Sequence, residues 1–206
     1  MKNILVVDEN LPYLLNNINF PVGGATVQTR NWMHGFEDLG YNIIINSSVE
    51  VENSSHYIIE RVSIKTSRSK LYSSFSSIFQ YYKILKKYNP EFIYISIPWW
   101  TNFLIIIAAK ILNIRVVQRI SNDNLVNKEA KNRFNNKFKY IFYKISLKLT
   151  NVFLCQNDYQ LDLLKKRYSN KIVKKLYNPF LLDKGCDYNN KSRNYIAWIG
   201  LFQYQK

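Results

Sequence analysis

The sequence has only two cysteines and two histidines among its 206 residues. Cys155 lies in an apolar run typical of a strand, and neither it nor Cys186 has the spacing of a metal ligand or of a disulfide framework. His34 and His56 have no partner at ligand spacing, so we expect both at the surface. The sequence therefore predicts no metal site and fits a reducing compartment.

Long apolar runs are also missing. The most apolar stretch, residues 103–109, is far shorter than the roughly 20 residues that cross a bilayer. The N-terminal run 4–7 meets Asp8 and Glu9 too early for a signal peptide. We therefore expect a cytoplasmic protein that associates with the inner membrane face, if at all, as a peripheral protein.

Acidic residues are scarce relative to basic ones. Fourteen Asp and Glu stand against 29 Lys and Arg, which gives a formal net charge of +15. Such an excess favours an anionic partner, and it leaves nucleic acid, an acidic membrane surface and phosphorylated small molecules open. Part of the excess is simply a solvated lysine-rich surface.

Short apolar runs alternate with helical patterns along most of the chain. The runs predict strands at residues 4–7, 42–45, 92–95, 114–117, 152–155 and 172–176, and one or two strands within 58–64. The patterns between them predict helices at residues 24–39, 78–88, 100–112, 129–149 and 158–168. Gly40 and Asn89 are expected to end the first two helices. This alternation predicts an α/β fold, a Rossmann-like doubly wound parallel sheet.

The end of the sequence has a different character. Residues 183–193 are polar and rich in turn formers, which is typical of a linker, and 195–199 form a new strand-like apolar run. We therefore predict one domain over 1–182, a linker over 183–193, and the first strand and loop of a second domain over 194–206.

Gly23 and Gly24 stand together between a predicted strand and a predicted helix, although the chain has only six glycines. Glycine lets a backbone pass close to a ligand, and the free amides at the start of a helix attract negative charge. A plain turn is the alternative interpretation. We favour a ligand site.

Two further groups lie where predicted strands end, which is the edge where open α/β sheets bind ligands. Arg119 and Asp123 follow one strand, and there the arginine fork suits a phosphate or a carboxylate; a surface ion pair between them is the alternative. Trp99 and Trp100 follow another strand. They can stack on a sugar ring or hold a lipid tail, although core packing of at least one is favoured.

The predicted helix 129–149 combines an apolar stripe with basic flanks. The stripe consists of residues 134, 138, 141, 142, 145 and 149. We expect this stripe to face the core. The basic residues that could still attract acidic lipid are Lys137, Lys139, Lys144 and Lys148.

Five stretches, taken in order, resemble the N-terminal half of glycosyltransferase family 4. They are the double-glycine loop and helix 23–43, the strand NPEFIY at 89–94, the strand IRVVQR at 114–119, the exit segment LYNPFLLD at 176–183 and the strand and loop 195–206. At one position where the family commonly has histidine this chain has Ser121, and the family's other frequent histidine position falls near Tyr94 or Ser96. Leu201 occupies the position of the family's usual arginine.

The resemblance implies a retaining enzyme of the two-domain GT-B fold, of which this chain supplies the acceptor-binding domain. The implied cleft residues are Gly23, Gly24, Trp99, Trp100, Asn157 and Asn178. Lys206 would contact the donor phosphate, and Arg119 and Asp123 are the catalytic candidates.

The resemblance also implies the partners. The donor would be a UDP- or GDP-linked sugar, with no other cofactor and no metal. The acceptor would be lipid-linked or a polysaccharide, in cell-surface glycan synthesis at an anionic membrane. Without most of the donor domain, the 206-residue chain alone is expected to be inactive.

The alternative function is a basic binding module for RNA or another polyanion, without catalytic activity. The sequence has no Gly-rich RNA signature and no sheet with exposed aromatic residues. We therefore expect no nucleic-acid partner.

Overall fold

The structure, a computed structural model, describes residues 2–47, 56–62, 70–134 and 136–178. The predicted linker 183–193, the predicted strand in 194–206 and Lys206 lie outside the described residues.

Strands and helices alternate along the described chain. The strands are β1 (Lys2–Val7), β2 (Tyr41–Ser47), β3 (Ile58–Arg61), β4 (Phe92–Ile95), β5 (Arg115–Ile120), β6 (Val152–Cys155) and β7 (Ile172–Lys175). The helices are α1 (Leu11–Leu15), α2 (Gly24–Asp38), α3 (Lys70–Tyr88), α4 (Asn102–Ile111), α5 (Lys137–Leu149) and α6 (Asp158–Arg167). The short helix α1 was not predicted, and α3 begins eight residues earlier than the predicted 78.

The strands form one parallel sheet in the order β3-β2-β1-β4-β5-β6-β7. Val6 of β1 lies opposite Ile45 of β2 on one side and Tyr94 of β4 on the other. The predicted α/β class is confirmed. The chain runs outward in one direction from β1 and in the other from β4, so the strand order reverses between these two strands.

Helices cover both faces of the sheet, as a doubly wound fold requires. On one face Leu5 and Ile93 pack with residues of α3 and α4. On the other face Val6 and Tyr94 pack with Met33 of α2. The central strands β1, β2 and β4 are buried on both sides, which explains their continuous apolar runs in the sequence, whereas the edge strands β3 and β7 are largely exposed.

Left-handed residues follow four of the described helices, and the first of them is Asn17, with φ +52° after α1. Gly40 has φ +78° after α2, Asn89 has φ +41° after α3 and Asn113 has φ +55° after α4. Glycine and asparagine adopt this conformation most easily, and it frees the chain from the helical path. The predicted stops at Gly40 and Asn89 are confirmed.

The predicted helix 129–149 is wrong in its first third. Residues Lys128–Arg133 form a 3-10 helix, and α5 begins only at Lys137. The side chain of Asn136 accepts a hydrogen bond of 2.7 Å from the backbone N–H of Phe138. This is an N-cap, which fixes the start of α5.

The expectation that the apolar stripe faces the core is wrong for half of its members. Phe142 and Leu149 pack against the core. Phe138, Ile141 and Ile145 remain 68%, 48% and 37% exposed. The buried side of α5 is instead formed by Tyr143, Ser146 and Leu147, so the helix is rotated relative to the predicted stripe.

Candidate functional site

A cavity opens where the strand order reverses, at the carboxyl ends of β1 and β4. Its volume is about 370 Å³. Open α/β sheets bind ligands in the crevice at such a point. The residues that line it are Val7, Asp8, Glu9, Asn10, Ser96, Ile97, Trp99, Thr101 and Asn102.

Asp8 is the central polar group of this cavity and is only 4% exposed. Its Oδ2 accepts a hydrogen bond of 2.7 Å from the Ser96 hydroxyl. Its Oδ1 accepts one of 3.2 Å from the Thr26 hydroxyl and one of 3.1 Å from the backbone N–H of Asn10. The carboxylate thus joins β1, β4 and the first turn of α2, and these donors compensate for its burial.

Helix α2 begins beside the cavity with the glycine pair. Gly23 is its N-cap, and the first intrahelical donors, Thr26 and Val27, both bond to the Gly23 carbonyl. Gly23 has no side chain that could cap the earlier amides, so they are available to an anion. A Cβ at either glycine would meet no atom of the described residues within 4 Å. None of the described residues around this loop therefore requires glycine.

Arg119 ties the same helix to the other half of the sheet. Its side chain is 3% exposed. Nη1 donates a hydrogen bond of 3.2 Å to the carbonyl oxygen of Ala25, and Nη2 donates one of 3.1 Å to Oδ1 of Asn178. Arg119 therefore holds the start of α2 against the segment that follows β7. It is placed to position the site and does not line the 370 Å³ cavity.

Asp123 has different partners from Arg119. Its Oδ1 accepts hydrogen bonds from the side-chain amides of Asn157, at 3.0 Å, and Gln160, at 2.8 Å. Asn157 also caps α6, because its side chain accepts a bond from the backbone N–H of Gln160. The alternative of an Arg119–Asp123 ion pair is therefore wrong. Asp123 and Asn157 fasten the loop after β5 to α6.

The two tryptophans differ in their surroundings. Trp99 lines the cavity, and its ring centroid lies 5.2 Å from that of Phe134. Trp100 is half-buried against the core formed by β5, β6 and α5, and the Lys139 ammonium lies 5.2 Å from its ring centroid. Of the pair, Trp99 is the one placed to contact a ligand in the cavity.

The predicted surface groups lie away from the cavity. Lys137, Lys139, Lys144 and Lys148 are all exposed on α5. His34 and His56 are at the surface as predicted, but both contact the Glu37 carboxylate, at 3.3 and 2.9 Å. Within the described ranges, no three His, Cys, Asp or Glu side chains are arranged to hold a metal ion. Likewise, none of the described helices has the length and apolar character to traverse a bilayer.

The Asp8–Ser96–Thr26 network was not predicted from the sequence. Asp8 follows β1 and Ser96 follows β4, so both lie at the carboxyl edge of the sheet, where ligands are expected. A buried strand that ends directly in an aspartate was the available signal. The pairing of its carboxylate with Thr26 depends on how α2 returns to the sheet, which only the structure shows.

Known structures share this fold. Sucrose-phosphate synthase from Thermosynechococcus elongatus is 12% identical, with a TM-score of 0.54 over 86% of this chain and 48% of its own. UDP-N-acetylglucosamine 2-epimerase from Rickettsia bellii is 12% identical, with a TM-score of 0.54 over 85% of this chain and 44% of its own. MurG from Acinetobacter baumannii is 10% identical, with a TM-score of 0.51 over 75% of this chain and 41% of its own. The chain spans less than half the length of each of these structures.

The sequence itself identifies the family. No curated protein matches the chain. The family described as "Glycosyl transferase 4-like" matches residues 18–157, which include α2, β4, β5 and β6. The predicted resemblance is confirmed, and the described residues form the N-terminal Rossmann-like domain of a GT-B fold. The chain belongs to the glycosyl transferase 4-like family.

Proposed function

We propose that the protein containing this chain is a retaining glycosyltransferase. It transfers a sugar from a UDP- or GDP-linked donor to a lipid-linked or polysaccharide acceptor in cell-surface glycan synthesis. Family membership supports the reaction class. Because the chain spans less than half of the similar structures, the activity is assigned to the whole protein, in which this domain binds the acceptor.

The observation that carries the proposal is the anchored start of α2 at the point where the strand order reverses. Its uncapped amides face the edge at which parallel sheets bind ligands. Thr26 fastens this turn to Asp8, and Ala25 is fastened to Arg119. Fixed amides of this kind stabilise the negative charge that develops on a diphosphate leaving group, and their orientation costs nothing when the reaction occurs.

The neighbouring cavity suits a sugar acceptor. The Trp99 ring offers an apolar face, and Thr101 and Asn102 offer polar groups, which is the mixture that sugar rings contact. The Asp8 carboxylate already accepts three hydrogen bonds. Its role in this proposal is to hold β1, β4 and α2 in place around the acceptor.

The exposed lysines of α5 support a peripheral position on an anionic membrane, where a lipid-linked acceptor resides. Basic residues near such a surface each contribute about 1 kcal/mol of binding free energy. The proposed location is therefore the cytoplasmic membrane face.

The test is a transfer assay with the protein produced from the complete gene. Labelled UDP- and GDP-sugars are supplied with lipid-linked and polysaccharide acceptors, and NMR of the product shows whether the anomeric configuration of the donor is retained. Asp8→Asn should lower transfer by at least about tenfold, because the acceptor is displaced. The matched control is Asp162→Asn, at an exposed position of α6. Binding of RNA without any sugar transfer would overturn the proposal in favour of the binding module.

A further inference from the structure

A second and larger cavity lies on the helical surface, between α5 and the C-terminal end of α6. We call it the α5–α6 groove, and its volume is about 1080 Å³. It extends from Leu125 and Asn127, in the loops after β5, to Asn170 and Lys171, before β7. It therefore runs along the outside of the domain, and none of its lining residues belongs to the cavity at β1 and β4.

The charged lining of this groove is entirely basic. It consists of Lys131, Lys144, Lys148, Arg167 and Lys171, and the groove has no acidic residue among the described residues that line it. The surroundings do not restore the balance, because residues 137–175 contain ten Lys and Arg against two Asp. One of these, Asp158, already forms an ion pair of 2.7 Å with Lys175. The groove is therefore a site of positive potential.

The same groove also has an apolar wall. Ile141 and Ile145 line it although both are substantially exposed. Tyr140, Tyr143 and Tyr168 complete the wall, and the Tyr143 hydroxyl donates a buried hydrogen bond to the Leu125 carbonyl that fixes its ring. Burial raises the pKa of the Tyr168 hydroxyl.

We propose that the α5–α6 groove binds a single anionic glycerophospholipid of the membrane. The phosphate lies among the five cations, and one acyl chain lies along Ile141 and Ile145. Phe138, exposed one turn before Ile141, extends this apolar strip towards the bilayer. Spacings of i, i+3 and i+7 put the three apolar residues on one side of α5, as in helices that lie in a membrane interface.

Charge and apolar surface together select this occupant. A polyanion such as RNA satisfies the lysines but leaves the exposed aliphatic side chains of α5 in water. A neutral lipid covers the aliphatic side chains but leaves five cations without a counter-charge. The volume is that of a pocket for a ligand with a headgroup and part of a chain, since drug-sized sites occupy about 300–1,000 Å³. The proposal deepens the membrane location proposed above, but it does not depend on sugar transfer.

The first experiment measures binding of monomeric lipid to the 206-residue chain by calorimetry. The probe is dihexanoyl phosphatidylglycerol below its micellar concentration, and we expect saturable binding of one lipid per chain. Dihexanoyl phosphatidylcholine, which has no net charge, tests the need for an anionic headgroup, and glycerol phosphate tests the need for acyl chains. Each should bind at least about tenfold more weakly than the phosphatidylglycerol. Equal binding of glycerol phosphate would overturn the lipid proposal and indicate that the groove is a plain phosphate site.

The second experiment separates the groove from the general charge of the domain. The pair Arg167→Gln and Lys171→Gln removes two cations that line the groove. The matched pair Lys165→Gln and Lys166→Gln removes two exposed cations of α6 that do not line the groove. The groove pair should lose about tenfold or more in affinity for phosphatidylglycerol, while the matched pair changes it by less than about twofold.

Equal losses in the two pairs would overturn the proposal, as would stronger binding of a short single-stranded RNA than of the lipid. Ile145→Gln keeps every charge and should still weaken lipid binding, because the acyl chain loses part of its apolar wall. Circular dichroism of each variant shows that the domain is folded. Neither lipid experiment uses a sugar donor, so failure here leaves the transfer assay unaffected, and the reverse also holds.

Discussion

The guanidinium of Arg119, on β5, donates a hydrogen bond of 3.2 Å to the carbonyl oxygen of Ala25, in the first turn of α2. The two residues are separated by 94 positions in the sequence. The contact joins β5, which lies in the second half of the sheet, with the start of α2. The orientation of the α2 amides is thus set from two sides, by Arg119 and by Asp8 through Thr26.

The first prediction concerns this contact. Arg119→Lys keeps the charge but loses the fork that reaches both Ala25 and Asn178. Because a buried charged hydrogen bond is lost, the free energy of unfolding should fall by about 2 kcal/mol. Urea unfolding followed by circular dichroism measures it. Arg115→Lys, at an exposed position of the same strand, is the control and should change stability little. Equal stability of the two variants would show that Arg119 does not hold α2.

Much of the fold could be predicted because the relevant signals are local. The strands buried on both faces read as continuous apolar runs, and Gly40 and Asn89 ended their helices where expected. The start of α5 was not predicted, because it is fixed by the cap of a single polar side chain, Asn136. The apolar pattern extends beyond this cap towards the N-terminus and therefore predicted a longer helix. Because α5 begins at Lys137, Phe134 lies outside this helix.

The candidate site was less predictable because it depends on contacts that are distant in sequence. Strand ends predicted that Arg119 and Asp123 lie near the carboxyl edge of the sheet. Their partners could not be derived in this way, since Asn178 and Gln160 reach them from elements that follow much later. The exposed side of α5 is a similar case, because whether a helix face is covered depends on the neighbouring helix and not on its own pattern.

The second prediction concerns the glycine pair. Gly24→Val should leave the fold intact, because an added Cβ meets no described atom within 4 Å. If a ligand approaches this backbone, the side chain will obstruct it, and the affinity of the complete protein for its nucleotide sugar or acceptor should fall by at least about tenfold. Gly35→Val, in the middle of α2 and equally free of contacts, is the control. Unchanged kinetics in a folded Gly24→Val protein would reduce the loop to a turn.

The third prediction concerns the buried thiol of Cys155. Burial raises its pKa from 9.0 to about 11. The thiol should therefore stay protonated and react slowly with iodoacetamide at neutral pH, and quickly once urea unfolds the chain. A Cys186→Ser background leaves Cys155 as the reactive group. Rapid alkylation of the folded protein would contradict the structure of β6.

The same pKa shift predicts how stability depends on pH. Below pH 9 the thiol is protonated in both states and has no effect on the balance between them. Between pH 9 and about 11 the unfolded chain loses this proton first, so the free energy of unfolding should decline over that interval. Cys155→Ala removes this contribution, and its stability should fall less steeply than that of the parent over the same pH range.

The last prediction concerns the basic surface of α5. Vesicles that contain anionic phospholipid should bind the domain, and added salt should weaken the binding, because charges at a surface are screened beyond about 8 Å at physiological ionic strength. Replacing Lys137, Lys139, Lys144 and Lys148 with glutamine should abolish sedimentation with the vesicles.

The control removes the same charge from other exposed positions, Lys83, Lys86, Lys165 and Lys166, and should retain most of the binding. The two sets differ in their neighbours: only the first flanks the exposed side chains of Phe138, Ile141 and Ile145, which can enter the interface once the lysines have brought the helix to it. Equal loss in both variants would mean that net charge alone governs the association and that α5 has no special orientation towards the membrane. Equal binding to neutral vesicles would mean that the lysines do not attract the domain to the lipid surface.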